Sequence, residues 1–149
     1  MKEDKVSIVI TAYNVEEYLE KAVFSAVQQG VKEVIIVEDK STDNTAKLAD
    51  DLYSKLSDIV KVFHNEKNIG AGLSRRVGIE NATGEYVLLL DGDDYIDEGY
   101  VAALLQRAEE TNADIVSSGI KIIQEDGTWK AESYGNATTV GNEKISRYW

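Results

Sequence analysis

The chain has 149 residues, enough for one core of ordinary size, and 43% of them are hydrophobic against 29% charged, a balance that excludes wholesale disorder. Its 16 Lys and Arg against 27 Asp and Glu leave a formal charge of −11, which repels phosphate backbones and excludes general nucleic-acid or anionic-membrane binding. With no Cys and one His there is neither a disulfide framework nor a thiolate or histidine metal cluster, so any metal must be held by oxygen.

The opening Met1-Lys2-Glu3-Asp4-Lys5 lacks the apolar stretch of a signal peptide, and no later run approaches the roughly 20 apolar residues of a membrane span. No transmembrane segment is expected, and the chain reads as cytoplasmic, with a peripheral membrane association left open for the full-length protein. The run Val6-Ser7-Ile8-Val9-Ile10 is β-branched and predicts a buried strand that gives way to Thr11-Ala12-Tyr13-Asn14. From Leu19, apolar residues recur at Ala22, Val23, Ala26 and Val27 before Gly30, the period of one helix face followed by a stop.

The unit then repeats. Val34-Ile35-Ile36-Val37 leads through a polar run to a helix with the stripe Leu48, Ala49, Leu52 and Leu56, capped by Asp43 or Thr42. A third strand, Val60 to Phe63, passes through the loop Asn68-Ile69-Gly70-Ala71-Gly72 into a short helix near Ser74 to Ala82, ended by Thr83-Gly84. The fourth and strongest strand, Tyr86-Val87-Leu88-Leu89-Leu90, runs into Asp91-Gly92-Asp93-Asp94 and a helix with Val101, Leu104, Leu105 and Ala108 on one face. A fifth strand is expected from about Asp114 to Ile123, then a turn at Asp126-Gly127, a mixed stretch from Trp129 to Thr139, and the start of another helix from Asn142 to Trp149. Continuously apolar strands separated by helices predict an α/β three-layer sandwich with a mostly parallel, Rossmann-like central sheet.

In open parallel sheets, ligands bind beyond the carboxyl ends of the strands. Those ends carry Thr11, Tyr13 and Asn14 after the first strand, Glu38 and Asp39 after the second, and Asp91, Asp93 and Asp94 after the fourth. Three carboxylates within four positions raise one another's pKa unless a cation neutralises them. Mg²⁺ or Mn²⁺ suits that role, because such ions take one or two carboxylates and complete their shell with water and phosphate oxygens. The net acidity then becomes usable for binding a diphosphate.

Tyr13 is as well placed to stack on a base as to cap the core. Asp39 suits a hydrogen bond from a base or ribose, with Glu38 read as structural. One of Arg75 and Arg76, opening a helix after a glycine loop, is placed to reach a phosphate while the other is an ordinary exposed cation. His64 has no partner cluster and reads as structural or solvent-facing. Asp91-Gly92 is also a hairpin signal, weakened because a helix comes next. Gly70-Ala71-Gly72 lies after the third strand without G-x-G-x-x-G spacing, and there is no G-x-x-x-x-G-K-[ST] loop.

Four segments, VSIVITAYN at Val6 to Asn14, IIVEDKSTDNT at Ile35 to Thr45, NIGAGLSRRVGIENATG at Asn68 to Gly84 and EYVLLLDGDDYI at Glu85 to Ile96, are specific in their order and spacing. Together they resemble the nucleotide-sugar-binding half of a family-2 glycosyltransferase with the GT-A fold, over roughly residues 5 to 123. The resemblance implies that Tyr13 packs near a uracil, that Asp39 binds the base, and that Arg75 lies near the pyrophosphate. Asp91-Gly92-Asp93 corresponds to the DxD motif, with Asp93 the metal ligand. Asp91 and Asp94 fall close to ribose, metal waters or donor sugar, and Thr11 and Asn14 complete the expected nucleotide-sugar site.

The same resemblance implies metal-dependent transfer of a sugar from a nucleoside-diphosphate sugar, with UDP the expected nucleotide, to the hydroxyl of a saccharide or lipid-linked acceptor. Transfer is expected to invert the anomeric carbon and to serve polysaccharide or glycolipid synthesis. The family's base and acceptor-binding segments lie well beyond the DxD motif. Residues 1–123 are therefore expected to be the donor-binding core and 124–149 the start of an acceptor-side region, with the catalytic base past Trp149 and little transfer by this chain alone. Thr11 stands where proline is usual, Glu38-Asp39-Lys40 where Asp-Asp-Gly is usual, and Arg76 where asparagine is usual, departures that leave the fold alone and blur the donor sugar. The competing readings are a receiver-like or flavodoxin-like module with an acidic regulatory rim and, more distantly, a nucleotidyltransferase, against which the lack of a basic glycine loop after the first strand counts.

Overall fold

The two strands richest in β-branched residues, β1 (Val6–Ala12) and β2 (Glu33–Glu38), lie side by side at the centre of a four-stranded parallel sheet. Its order is β3-β2-β1-β4, with β3 (Val60–His64) and β4 (Tyr86–Asp91) outermost among the described residues. The structure is a computed structural model that describes residues 2–124 and 126–132, and the chain divides into two units, Met1–Tyr100 and Val101–Trp149. This sheet belongs to the first.

Both faces of β1 and β2 are buried, which is why these strands read as unbroken apolar runs rather than alternating ones. Side chains alternate along a strand, and the alternation sorts them. Ile8, Ile10, Val34 and Ile36 share one face with the buried stripes of α1 (Leu19–Val27) and α2 (Thr45–Lys55), formed by Leu19, Ala22, Val23, Ala26, Ala49 and Leu52. On the other face Val9, Ile35 and Val37 form a cluster with Phe63 and with Val77 of α3 (Ala71–Asn81). Here α3 comes so close to β1 that a Cβ on Gly78 would collide with Val9 Cγ1. A three-layer parallel α/β unit results, as expected.

Helix ends follow local chemistry. Asp43 Oδ1 accepts the Thr45 N–H at 2.9 Å in the first turn of α2, although the cap position itself is held by Asn44. The third helix begins at Ala71, earlier than the Ser74 expected, because Gly70 at φ 84° turns the chain so that the Ser74 N–H reaches its carbonyl at 3.0 Å.

At the amino end of the sheet Glu33 is 3% exposed and joins three elements. Its carboxylate accepts Ser7 Oγ at 2.7 Å, Lys61 Nζ at 2.6 Å, and the Thr83 N–H and hydroxyl at 2.7 and 2.8 Å. Burial by itself would raise its pKa, but Lys61, Ser7 and Thr83 together outweigh that and bring it from 4.5 to about 2.

In the second unit α4 (Tyr100–Thr111) buries the expected Val101, Leu105 and Ala108. The strand expected over 114–123 is corrected: only Ile120–Ile123 (β5) is extended, and it pairs antiparallel with β6 (Trp129–Glu132), Ile123 opposite Trp129, outside the parallel sheet. Ser117-Ser118-Gly119 interrupts the apolar run, and a partner just downstream, across the turn at Asp126-Gly127, is reached at small loop-closure cost. The helix expected over 142–149 and the stretch 133–139 lie outside the described residues. Among the described residues no helix is long and apolar enough to cross a membrane.

Candidate functional site

Parallel pairing runs from Ser7 opposite Glu33 to Ala12 opposite Glu38, and from Val6 opposite Tyr86 to Thr11 opposite Asp91, so β1, β2 and β4 finish level. The segments that leave these ends, with the start of α3, enclose a cleft of about 330 Å³. Thr11, Tyr13, Asp39, Arg75, Asp91 and Asp93 all line it, so six of the eight residues expected at the site meet in one hollow. Tyr13 leaves 47% of its surface exposed there.

Asn14 and Asp94 are not among the lining residues. Asn14, at φ 51°, uses Oδ1 to accept the Thr42 N–H at 2.8 Å and the Thr42 hydroxyl at 3.2 Å, which ties the segment after β1 to the one after β2. Asp94 lies in the turn beyond Asp93, its N–H donated to the Asp91 carbonyl at 3.0 Å. Partial enclosure of its carboxyl, and then the charges of Asp93 and Asp91, raise its pKa.

Asp39 is 3% exposed and fully engaged with protein donors on one oxygen. Its Oδ1 accepts Asn65 Nδ2 and the Ile69 N–H, both at 2.9 Å, and Oδ2 accepts the Gly70 N–H at 2.8 Å. Burial would raise its carboxyl, but the Ile69, Asn65, Gly70 and Ser74 donors hold it below the usual range. A carboxylate offers about four lone-pair sites, and the Ser74 side chain joins these three donors on Asp39.

Along the acidic edge Asp91 Oδ1 receives Arg75 Nη2 at 2.6 Å and the Thr11 hydroxyl at 3.3 Å. The Gly92 N–H donates to the Thr11 carbonyl at 2.9 Å, and a Cβ at Gly92 would stand 2.8 Å from that oxygen, so the residue between the two acids has to be glycine for the turn to lie against β1. Asp93 is exposed and takes no hydrogen-bond or ion-pair partner among the described residues. No group of three or more acidic or imidazole side chains able to hold a metal occurs among the described residues. A hard divalent ion shared with phosphate oxygens asks only for one or two carboxylates, which is the donor set Asp93 and its neighbours offer. Arg76 turns elsewhere, its Nε donating to Glu80 at 2.7 Å.

His64 has partners that its place in the sequence does not reveal. Its Nδ1 lies 3.0 Å from Glu38 Oε2 and its Nε2 lies 2.9 Å from Asp50 Oδ1, two carboxylates distant along the chain. Glu38, 2% exposed, uses Oε1 to accept the Ser41 N–H at 2.6 Å. Asn65 and the buried Ser74, 3.0 Å apart through Nδ2 and Oγ, belong to no motif either. The signal that finds His64 and Asn65 is position: β3 ends on the same rim as the other three strands.

The glycosyl transferase family 2 model matches residues 7–148. The chain is similar to a cholesterol galactosyltransferase of Borreliella burgdorferi, 38% identical over 76% of this chain and 32% of that protein. It is also similar to the putative teichuronic acid biosynthesis glycosyltransferase TuaG of Bacillus subtilis, 33% identical over 83% of this chain and 49% of that protein. Among solved structures it resembles S. aureus TarS 1-349 in complex with UDP-GlcNAc, with a TM-score of 0.64 and 33% identity over 74% of this chain and 32% of that one. The chain thus spans between about a third and a half of the length of these proteins.

Proposed function

The chain belongs to glycosyl transferase family 2, and from that premise we propose that its cleft binds a nucleoside-diphosphate sugar with UDP as the nucleotide. The observation that carries this reading is the convergence of an exposed tyrosine, a buried carboxylate, an arginine and an aspartate without a partner among the described residues on one hollow. The UDP-GlcNAc held by the TarS neighbour supports the ligand class. Tyr13 stacks on the base, and Asp39, which lines the same cleft, accepts the imide N–H of uracil in place of the Ser74 side chain. Arg75 commits one of its five N–H donors to Asp91, which leaves others for the diphosphate.

Asp93, with Asp91 beside it, is the proposed holder of Mg²⁺ or Mn²⁺. When bound, such an ion neutralises charge on the departing diphosphate. At a chain charge of −11, a diphosphate gains most from a site where that repulsion is locally offset. For the whole protein we propose transfer to the hydroxyl of a saccharide or lipid-linked acceptor with inversion, in polysaccharide or glycolipid synthesis, on the cytoplasmic side and with membrane contact at most peripheral.

Calorimetry with UDP and a panel of UDP-sugars, in Mn²⁺ and in EDTA, tests the proposal. UDP should bind at least tenfold more tightly with Mn²⁺, and Asp93→Ala should erase the difference. Equal affinity in EDTA sinks the metal role, and absence of UDP binding sinks the nucleotide reading.

A further inference from the structure

His64 pairs with two carboxylates at once. Ionised carboxylates only accept hydrogen bonds, and a neutral imidazole carries one N–H. With Glu38 Oε2 at 3.0 Å from Nδ1 and Asp50 Oδ1 at 2.9 Å from Nε2, both contacts are satisfied only by the doubly protonated ring. We propose that His64, as an imidazolium, is a positioning residue for the nucleotide cleft, fixing the segments after β1 and β2 through Glu38. This inference rests on the donor-binding reading above and adds to it a residue outside the cleft lining.

The connection is continuous. Glu38 is buried, so its carboxylate needs partners for both oxygens. Oε2 takes His64, and Oε1 takes the Ser41 N–H at 2.6 Å. Ser41 Oγ in turn accepts the Asn14 N–H at 3.1 Å, and Asn14 Oδ1 accepts Thr42. Asn14 at φ 51° and Lys40 at φ 60° both hold backbone conformations that non-glycine residues adopt only when their surroundings impose them. Tyr13 precedes Asn14, and Asp39 lies between Glu38 and Lys40. On the other side Asn65, next to His64, donates its N–H to the Glu38 carbonyl at 2.8 Å and its Nδ2 to Asp39.

The charged groups around the ring come from three elements. Glu38 faces it from β2 and Asp50 from α2, with exposed Lys47 one turn before Asp50. On β3 itself, Lys61 is engaged by Glu33 at 2.6 Å. Burial lowers the imidazole's pKa, but Glu38 and Asp50 outweigh that and raise it above 6.5. Loss of the proton puts an acceptor against an acceptor at one of the two contacts and, in either tautomer, removes the positive charge facing the buried Glu38 carboxylate, which weakens its hold on the rim. Binding should then weaken as pH rises through the ring's titration.

With one histidine in the chain, the imidazole NMR signal is unambiguous. The experiment titrates that signal from pH 6 to 8.5 with and without saturating UDP-GlcNAc and Mg²⁺, and measures UDP-GlcNAc affinity by calorimetry over the same range, where the diphosphate diester carries no titrating proton. We expect affinity to fall at least about fivefold across the imidazole titration, the lower end of ordinary coupling between sites. By reciprocity, ligand should move the imidazole midpoint upward. His64→Gln should show the weak, high-pH affinity at every pH. Asp50→Asn, at an exposed position, should lower the imidazole midpoint and the midpoint of the binding profile together. Affinity that stays flat while the ring titrates, or an Asp50→Asn protein in which the ring shifts and binding does not, overturns the positioning role and leaves the donor reading standing. No binding at any pH overturns both.

Discussion

Strand β2 carries a buried glutamate at each end, and β3 provides a cation for each, yet the two ends behave differently. At the amino end Glu33 meets Lys61, Ser7 and Thr83, and its pKa falls to about 2. At the carboxyl end Glu38 meets His64 and the Ser41 N–H, and the cation is an imidazolium, which gives up its proton far more readily than a lysine. The first is a fixed clamp joining β1, β2 and the turn before β4. The second is adjustable and sits beside the ligand cleft. Burial of a carboxylate therefore says little about its role until its partner is known.

The largest effect should come from breaking the amino-end clamp. Glu33→Ala leaves the Ser7 hydroxyl and the Thr83 N–H and hydroxyl without their acceptor, and should cost about 3 kcal/mol in urea unfolding. UDP-GlcNAc affinity of the folded protein should not change, because Glu33 is not in the cleft.

Acid should act on the same clamp. A folded-state pKa depressed from 4.5 to about 2 gives stability that is present above 4.5 and lost as pH falls through 2. The loss is on the order of 3 kcal/mol. Unfolding midpoints of the wild type should drop steeply between pH 5 and pH 2, and Glu33→Gln should flatten that slope.

At the carboxyl end the effects are smaller. Gly92→Ala forces a Cβ to within 2.8 Å of the Thr11 carbonyl, so the turn holding Asp91 and Asp93 must shift. Roughly 1–3 kcal/mol of stability should go with it, together with the Mn²⁺ dependence of UDP binding. The His64 bridge should add less than about 1 kcal/mol after solvent screening, its side chain being 40% exposed. Since the folded pKa of His64 is raised, that contribution is complete below 6.5 and fades as pH climbs through the folded value, which His64→Gln should abolish. Arg76→Ala removes an exposed pair with Glu80 and should leave the unfolding midpoint unchanged.

Much of the cleft is legible in the sequence because it depends on which residues stand at strand ends. Level carboxyl ends collect the residues next in the chain, and Thr11, Tyr13, Asp39, Asp91 and Asp93 are placed there directly. Arg75 is reachable as a cation opening a helix. Asn14 shows the limit of that logic, since a residue in the right segment spends its amide on a neighbouring loop. Asn65 and Ser74 are hidden for another reason: a polar side chain that serves Asp39 carries no pattern of its own.

Local patterning determined the parallel α/β class, the succession of strands and helices, and most of the rim, because burial on two faces and helical periodicity are written into neighbouring residues. Tertiary structure alone decided that, among the described residues, the parallel sheet runs β3-β2-β1-β4 and β5 pairs with β6 in a separate hairpin. It also decided that one histidine bridges carboxylates 26 and 14 positions away. Strand order and side-chain partnership depend on register and on which faces meet. A run of apolar residues constrains neither.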